Sequence, residues 1–144
     1  MIIIEYNHMG VDKLNLIEIF KALGDKNRIR ILNLLIRQEL CVCEIETVLN
    51  MTQSNASRHL NKLKTSGIIT SEKESQWVYY KIDNKFIEEN SLLYEFIKNM
   101  TVENTQLQRD LERLNRYKNS NFTCEQLRED KREVLKYLRG NVSK

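Results

Sequence analysis

The sequence predicts a mainly α-helical chain with one small β-hairpin, a winged helix-turn-helix followed by a long helical extension at its C-terminal end. Three observations predict this. The 144 residues contain no proline and only Gly10, Gly24, Gly67 and Gly140, so the residues that break helices, by removing a backbone donor or loosening the chain, are nearly absent. Apolar residues recur at steps of three and four over most of the length. The run Trp77–Ile82 departs from that period and alternates, Val78, Tyr80 and Ile82 against Trp77, Tyr79 and Lys81, as a strand does. A chain of this size hides roughly two thirds of its unfolded surface, so neither metal nor disulfide is needed merely to hold it together.

Taken in order, Leu14, Ile17, Phe20 and Leu23 mark one face of a first helix that ends near Gly24,. Asp25 can cap the second, whose stripe is Ile29, Leu32, Leu35 and Ile36, with Arg28, Arg30 and Arg37 left outside. A third helix runs from about Cys43 to Leu49, with Ile45, Val48 and Leu49 on one face, and Asn50-Met51 makes a turn. Thr52 stands where an N-cap belongs for a fourth helix through Leu63 or Lys64, with Gly67 just past its end,. Ala56, Leu60 and Leu63 point that helix inward and push Ser54, Asn55, Ser57, Arg58, Asn61 and Lys62 toward other faces. Two helices joined by a tight turn, the second with an acid-free polar surface, describe a helix-turn-helix whose second member enters the major groove. Ile68-Ile69-Thr70-Ser71 and Trp77–Ile82 then form a hairpin, the wing. Its tip, Lys73-Glu74-Ser75-Gln76, lacks glycine, which predicts a turn of four residues or more,.

From Phe86 onward, Leu93, Ile97, Met100, Asn104, Leu107, Leu111 and Leu114 alternate steps of four and three. That spacing predicts the seam of a coiled coil or long paired helix, the alternative being a stripe that packs back on its own domain. Asn104 on the seam favours a specified pairing, since its buried amide needs a partner. Thr123 with Gln126 forms a capping box for a last helix bearing Leu127, Val134, Leu135 and Leu138,. The predicted organisation is a DNA-binding and dimerisation domain over 1–100, then a helical extension over 101–144, coiled-coil-like before a final short helix.

The net charge of +3 comes from 23 basic and 20 acidic residues, too small to announce nucleic-acid binding by itself. Its distribution is blocky. Lys21, Lys26, Arg28, Arg30 and Arg37 oppose only Asp25, and Arg58, Lys62 and Lys64 oppose no acid between 53 and 66, while Glu39, Glu44 and Glu46 stand unopposed between them. Two phosphate-facing surfaces separated by an acidic one fit this pattern. The start, Met1-Ile2-Ile3-Ile4-Glu5-Tyr6, has neither a basic leader nor a long apolar run, so no signal peptide, no membrane association and a cytoplasmic protein are expected,. Cys41, Cys43 and Cys124 are an odd number, which in a reducing compartment reads as free thiols or ligands,. A thiol enzyme is disfavoured: there is no Cys-x-x-Cys, no glycine-rich phosphate loop, and no cysteine with a convincing histidine or acid partner,. The acid-free face from Gln53 to Lys64 argues against a pure coiled-coil interaction protein.

Four segments, Ala22–Leu32, Glu39–Ile45, Gln53–Leu60 and Trp77–Tyr80, resemble the ArsR/SmtB family over about residues 14 to 100. The resemblance implies a homodimeric winged-helix repressor that binds an inverted repeat in double-stranded operator DNA and releases it when a toxic metal or metalloid binds. The Cys-x-Cys after Glu39-Leu40 resembles the arsenic- and antimony-sensing branch, so arsenite or antimonite is the expected inducer and no other cofactor is required. Two features depart from that pattern. Glu46 stands where those sensors often carry a third cysteine, and the wing pairs Lys73 with Glu72 and Glu74.

On this reading Gln53, Ser54, Ser57 and Arg58 are candidates for base contact, and Asn55, His59, Lys62 and Lys73 lie nearer phosphate, with packing at the turn the other role open to His59. His8 is expected to be a bystander. Cys41, Cys43 and Cys124 are the metal-binding candidates, with Cys124 either a third ligand or a bystander. Residues two apart on a helix point about 200° apart, so binding by both Cys41 and Cys43 is expected to unwind that turn. Cys124, in the first turn of the last helix, is expected to have a lowered pKa from the helix dipole. The alternative inducers are cadmium, lead or thiol oxidation on the same fold.

Overall fold

The computed structural model describes residues 15–140. Leu14, His8 and the Met1–Tyr6 segment lie outside the described residues. The chain folds as α1 (15–23), α2 (Lys26–Leu35), β1 (Leu40–Cys41), α3 (Val42–Val48), α4 (Gln53–Thr65), β2 (Ile69–Glu74), β3 (Trp77–Ile82), α5 (Asn84–Glu89), α6 (Ser91–Asn99), a 3-10 turn (Met100–Val102), α7 (Thr105–Lys118), α8 (Cys124–Glu129) and α9 (Lys131–Arg139). This is a winged helix-turn-helix with a helical C-terminal segment. None of the described helices is long and apolar enough to cross a membrane.

Local chemistry sets the boundaries around the helix-turn-helix. Asp25 accepts from the N–H groups of Asn27 and Arg28 at 2.8 and 3.2 Å and so starts α2,. Helix α3 closes with Asn50 in the left-handed region, φ 54°, where Asn50 N donates to Thr47 O and Met51 N to Glu46 O. The same Schellman arrangement closes α4, with Gly67 at φ 78°,. Between them Thr52 caps α4 through Asn55 N. The core holds Ile31, Leu32, Leu34 and Leu35 of α2, Ile45 and Val48 of α3, and Ala56, Leu60 and Leu63 of α4.

The sheet is larger than the expected hairpin. β1 adds a third strand, giving the order β1-β3-β2, with Leu40 opposite Tyr80 and Cys41 opposite Tyr79. The wing tip is also tighter than expected: Glu74 pairs with Trp77, so only Ser75 and Gln76 make the turn, and Ser75 adopts φ 59° where glycine was thought necessary,.

The predicted seam does not form one helix. It breaks at Met100–Asn104, and Asn104, instead of lying in a buried pairing, is exposed and caps α7 by accepting from Leu107 N at 3.0 Å. Ile97, Leu107 and Leu114 are buried within the chain's own fold, so the stripe packs back on its own domain. The final helix likewise splits at Asp130 into α8 and α9, although the Thr123–Gln126 capping box is present as expected.

What fixes α7 on α2 is polar. Asp110 is 0% exposed and receives Arg30 in a bidentate pair, Nε to Oδ2 at 2.8 Å and Nη2 to Oδ1 at 2.9 Å, with Gln106 adding a third donor. Buried Asn33 donates to Leu107 O and accepts from Thr101 Oγ1. The expectation that Arg28 and Arg30 face outward as a phosphate surface is thus overturned: Arg30 is spent on Asp110, and Arg28 turns its Nε to Ala22 O. A buried carboxylate needs a paired cation more than the surface needs another one.

Candidate metal centre and nucleic-acid interface

Helix α4 presents two faces that the spacing of its residues dictates. Ala56, His59, Leu60 and Leu63, at i, i+3, i+4 and i+7, are buried, while Gln53, Ser54, Asn55, Ser57 and Arg58 are exposed on the opposite side,. The outer face offers the amides, hydroxyls and guanidinium that suit base edges and phosphates, with no acid among them. Asn55 Oδ1 accepts from Arg58 Nη2 at 3.4 Å, which steadies the guanidinium. Lys62 is half-buried, with its Nζ 3.8 Å from Glu18. Lys73 is exposed on β2, in the wing beside its tip.

His59 does not belong with the phosphate contacts. It is only 2% exposed, and its Nδ1 lies 3.2 Å from Arg28 Nη1. A guanidinium has only donors, so Nδ1 accepts and the other ring nitrogen carries the proton. Burial lowers its pKa, Asp25 opposes that shift, and Arg58 and Arg28 add to it, so the ring is held neutral. The i+3 position of the inward stripe was the signal for this, the turn-packing role that the sequence left open.

The three thiols come together from distant places in the chain. Cys41 Sγ lies 2.8 Å from Cys43 Sγ and 3.0 Å from Cys124 Sγ, and all three sulfurs fall within 4.8 Å of one another. None is in a disulfide. Cys41 and Cys43 meet without unwinding, contrary to expectation, because Cys41 is not helical: it ends β1 and stands at the N-cap of α3 with φ −86° and ψ 167°. Extended geometry at Cys41 removes the angular conflict that a continuous helix would impose.

Glu44, read in the sequence only as part of an acidic block, and Tyr117, unnoticed there, hold Cys41 in that pose. Cys41 N donates to Glu44 Oε1 at 2.9 Å, and Tyr117 Oη donates to Glu44 Oε2. Burial, and then the Glu44 carboxylate it bonds, push the Tyr117 hydroxyl far up in pKa, so it stays a donor. Its position one turn past Leu114 was the available signal.

The three thiols are shifted in different directions. Hydrogen bonding from Cys43 lowers the Cys41 pKa, with a second contribution from Cys124, against the cost of burial. Cys43 is raised by its bond to Cys41 and by burial. Cys124 is pushed up to about 12 by burial and then by its bond to Cys41. The expected lowering by the helix dipole is therefore reversed, because burial and the bond to Cys41 outweigh the dipole of the short helix α8,. Three convergent sulfurs are a set of soft donors suited to a thiophilic centre,.

Residues 25–71 match the sequence profile described as bacterial regulatory protein, arsR family. The chain is 42% identical over 66 residues to a cadmium resistance transcriptional regulatory protein of Listeria innocua, covering 45% of this chain and 56% of that protein. It is 43% identical over 65 residues to an arsenic resistance transcriptional regulator of Pseudomonas putida, covering 44% and 51%. It is 46% identical over 70 residues to an uncharacterized HTH-type transcriptional regulator of Methanocaldococcus jannaschii, covering 47% and 79%. The chain thus spans little more than half the length of the cadmium and arsenic relatives. Among solved structures, a homodimeric winged helix-turn-helix DNA-binding domain from Mycobacterium bovis, itself a possible ArsR-family regulator, matches with TM-score 0.55 and 26% identity, covering 65% of this chain and 87% of that one.

Proposed function

The chain belongs to the arsR family of bacterial regulatory proteins, DNA-binding transcriptional regulators rather than enzymes, and on that premise we propose that it is a homodimeric repressor that releases its operator when arsenite or antimonite binds Cys41, Cys43 and Cys124. The observation that carries this reading is the convergence of the three sulfurs within 4.8 Å. A trivalent metalloid bonds to three thiolates. Arsenous acid and three thiols give the tris-thiolate and three waters, the sulfur protons leaving with the hydroxyl groups and no electron changing hands. Because Cys41 already stands at the N-cap, the chain supplies its donors from β1, α3 and α8 with α3 intact.

Release requires that the centre form more readily off DNA than on it. The exposed face of α4 reads an inverted repeat in successive major grooves, and the wing with Lys73 follows the backbone. A second copy docks on Ile17 and Phe20 of α1 and on Leu92 and Phe96 of α6, all exposed in one chain. The homodimeric Mycobacterium bovis domain supports this assembly.

Cadmium is the second reading, favoured by the Listeria innocua relative. It is the weaker one for this donor set. The Glu44 carboxylate is already engaged by Cys41 N and Tyr117, so among the described residues a cadmium ion would find three protein donors and not four.

Fluorescence anisotropy on an operator duplex recovered by in vitro selection tests the proposal, with arsenite, antimonite and cadmium titrated in turn. Wild type should release the duplex with arsenite and antimonite. Cys41→Ser and Cys43→Ser should hold the duplex and ignore arsenite, whereas Cys124→Ser should bind arsenite about ten to a hundred times more weakly, as expected for one lost thiolate worth on the order of 1 to 3 kcal/mol. Release of wild type by cadmium alone would favour the second reading, and a Cys41→Ser protein that responds like wild type would overturn both.

A further inference from the structure

The segment that supplies Cys124 also touches both parts of the molecule that face DNA. Helices α8 and α9 are joined through a single residue, Asp130, and both pack on α3, as α4 also does. Seven positions after Cys124, Lys131 donates its Nζ to Met51 O at 2.7 Å, in the turn that leads into α4. Between them, the Arg128 guanidinium lies over the Trp77 ring at 4.9 Å, and Trp77 is the first residue of β3, paired with Glu74 at the end of the wing. Glu46 of α3 is buried, which raises its pKa, and Lys131 and Arg128 are the cations that oppose the rise. The place where arsenic sensors often carry a third cysteine thus holds a buried carboxylate facing this arm.

Helix α3 is about 10 Å long at 1.5 Å per residue. The arm therefore engages it at both ends, Cys124 at the thiols by its start and Lys131 at the turn beyond its finish. We propose that the α8–α9 arm is the lever of this repressor, with Arg128 and Lys131 as positioning residues that convey the state of the thiol centre to the wing through Trp77 and to the recognition helix through the Met51 carbonyl. The inference rests on the reading of Cys41, Cys43 and Cys124 as a metalloid centre. Bonding Cys124 to the centre that holds Cys41 and Cys43 docks the arm on α3 and fixes turn and wing in one arrangement, the one that does not fit the operator. Without the metalloid the arm has no covalent tie, and the turn is able to follow the DNA.

The test uses the full chain and arsenite. Thiolate-to-arsenic absorbance reports binding, anisotropy reports operator affinity, and Trp77, the only tryptophan, reports the wing end of the lever. In Lys131→Met, in Arg128→Ala and in the double variant, arsenite binding and arsenite-free operator affinity should stay within about threefold of wild type. The arsenite-induced loss of operator affinity should shrink at least about tenfold in the double variant, within the range that coupling between two sites spans. Lys131→Arg should restore most of it, since it keeps the donor to Met51 O. Trp77 emission should change when arsenite saturates wild type and not change in Cys124→Ser at matched loading. A double variant that releases DNA like wild type overturns the lever, as does unchanged Trp77 emission in saturated wild type. If the double variant fails to bind operator at all, the emission result decides. Absence of the absorbance band in wild type instead brings down the metalloid reading itself, and the lever with it.

Discussion

At the residue scale, position on a three-dimensional face decides role more firmly than residue type does. Arg28, Arg30 and Arg58 carry the same group, yet only Arg58 is exposed on the outer face of α4. Arg58→Glu should abolish operator binding while the protein remains dimeric and folded. Replacing it by glutamine should weaken binding and lower the salt slope by roughly one unit, the signature of one lost phosphate contact. Filter binding across a salt series checks this, and an unchanged affinity and slope would remove α4 as the reader. His59 next to it teaches the converse. Its side chain could contact phosphate, but the i+3 position commits it to the interior, and burial keeps it neutral beside Arg28.

At the scale of elements, the C-terminal helices are held by a few polar contacts at the ends of other helices. Arg113 donates to Val48 O at 2.6 Å, Arg30 reaches Leu49 O, and Lys131 takes Met51 O, so three cations satisfy carbonyls around the end of α3,. The Arg30–Asp110 pair anchors α7. Removing the acid strands a half-buried guanidinium, so Asp110→Ala should cost about 3 to 5 kcal/mol, as broken buried pairs do. Urea denaturation measures it, and a loss below about 1 kcal/mol would mean that the pair is as weak as a surface one. The seam of leucines anticipated this packing imperfectly. A four-three spacing specifies an apolar stripe but says nothing about whose surface covers it, and here Leu107 and Leu114 are covered by the chain itself.

At the scale of the whole molecule, several large apolar side chains are left uncovered among the described residues. Leu92 and Phe96, at i and i+4 on α6, are 87% and 65% exposed, and Ile17 and Phe20 of α1 are exposed as well. Patches of this kind mark interfaces. Leu92→Asp with Phe96→Asp should give a monomer by analytical ultracentrifugation at concentrations where wild type is a dimer, and operator affinity should fall steeply because a single half-site contributes little. A wild type that sediments as a monomer would defeat the dimer. Changing Leu107 or Leu111, which the seam would have recommended, should instead destabilise the fold without a selective effect on assembly.

The sequence by itself determined what depends on neighbours along the chain. Asp25, Thr52 and Thr123 cap their helices because a side chain three residues or fewer from an amide needs no tertiary help. Ala56, Leu60 and Leu63 set the inward face of α4, and alternation set β3, because both follow from backbone periodicity. The tertiary structure decided what depends on the path between distant residues. Cys41 and Cys124 meet across 83 positions, and Arg30 and Asp110 across 80, through loops whose direction no local spacing encodes. The extended pose of Cys41 belongs to the same class. A two-residue strand pairing with Tyr79 and Tyr80 pulls it out of the helix, and that pairing exists only once β3 lies beside it.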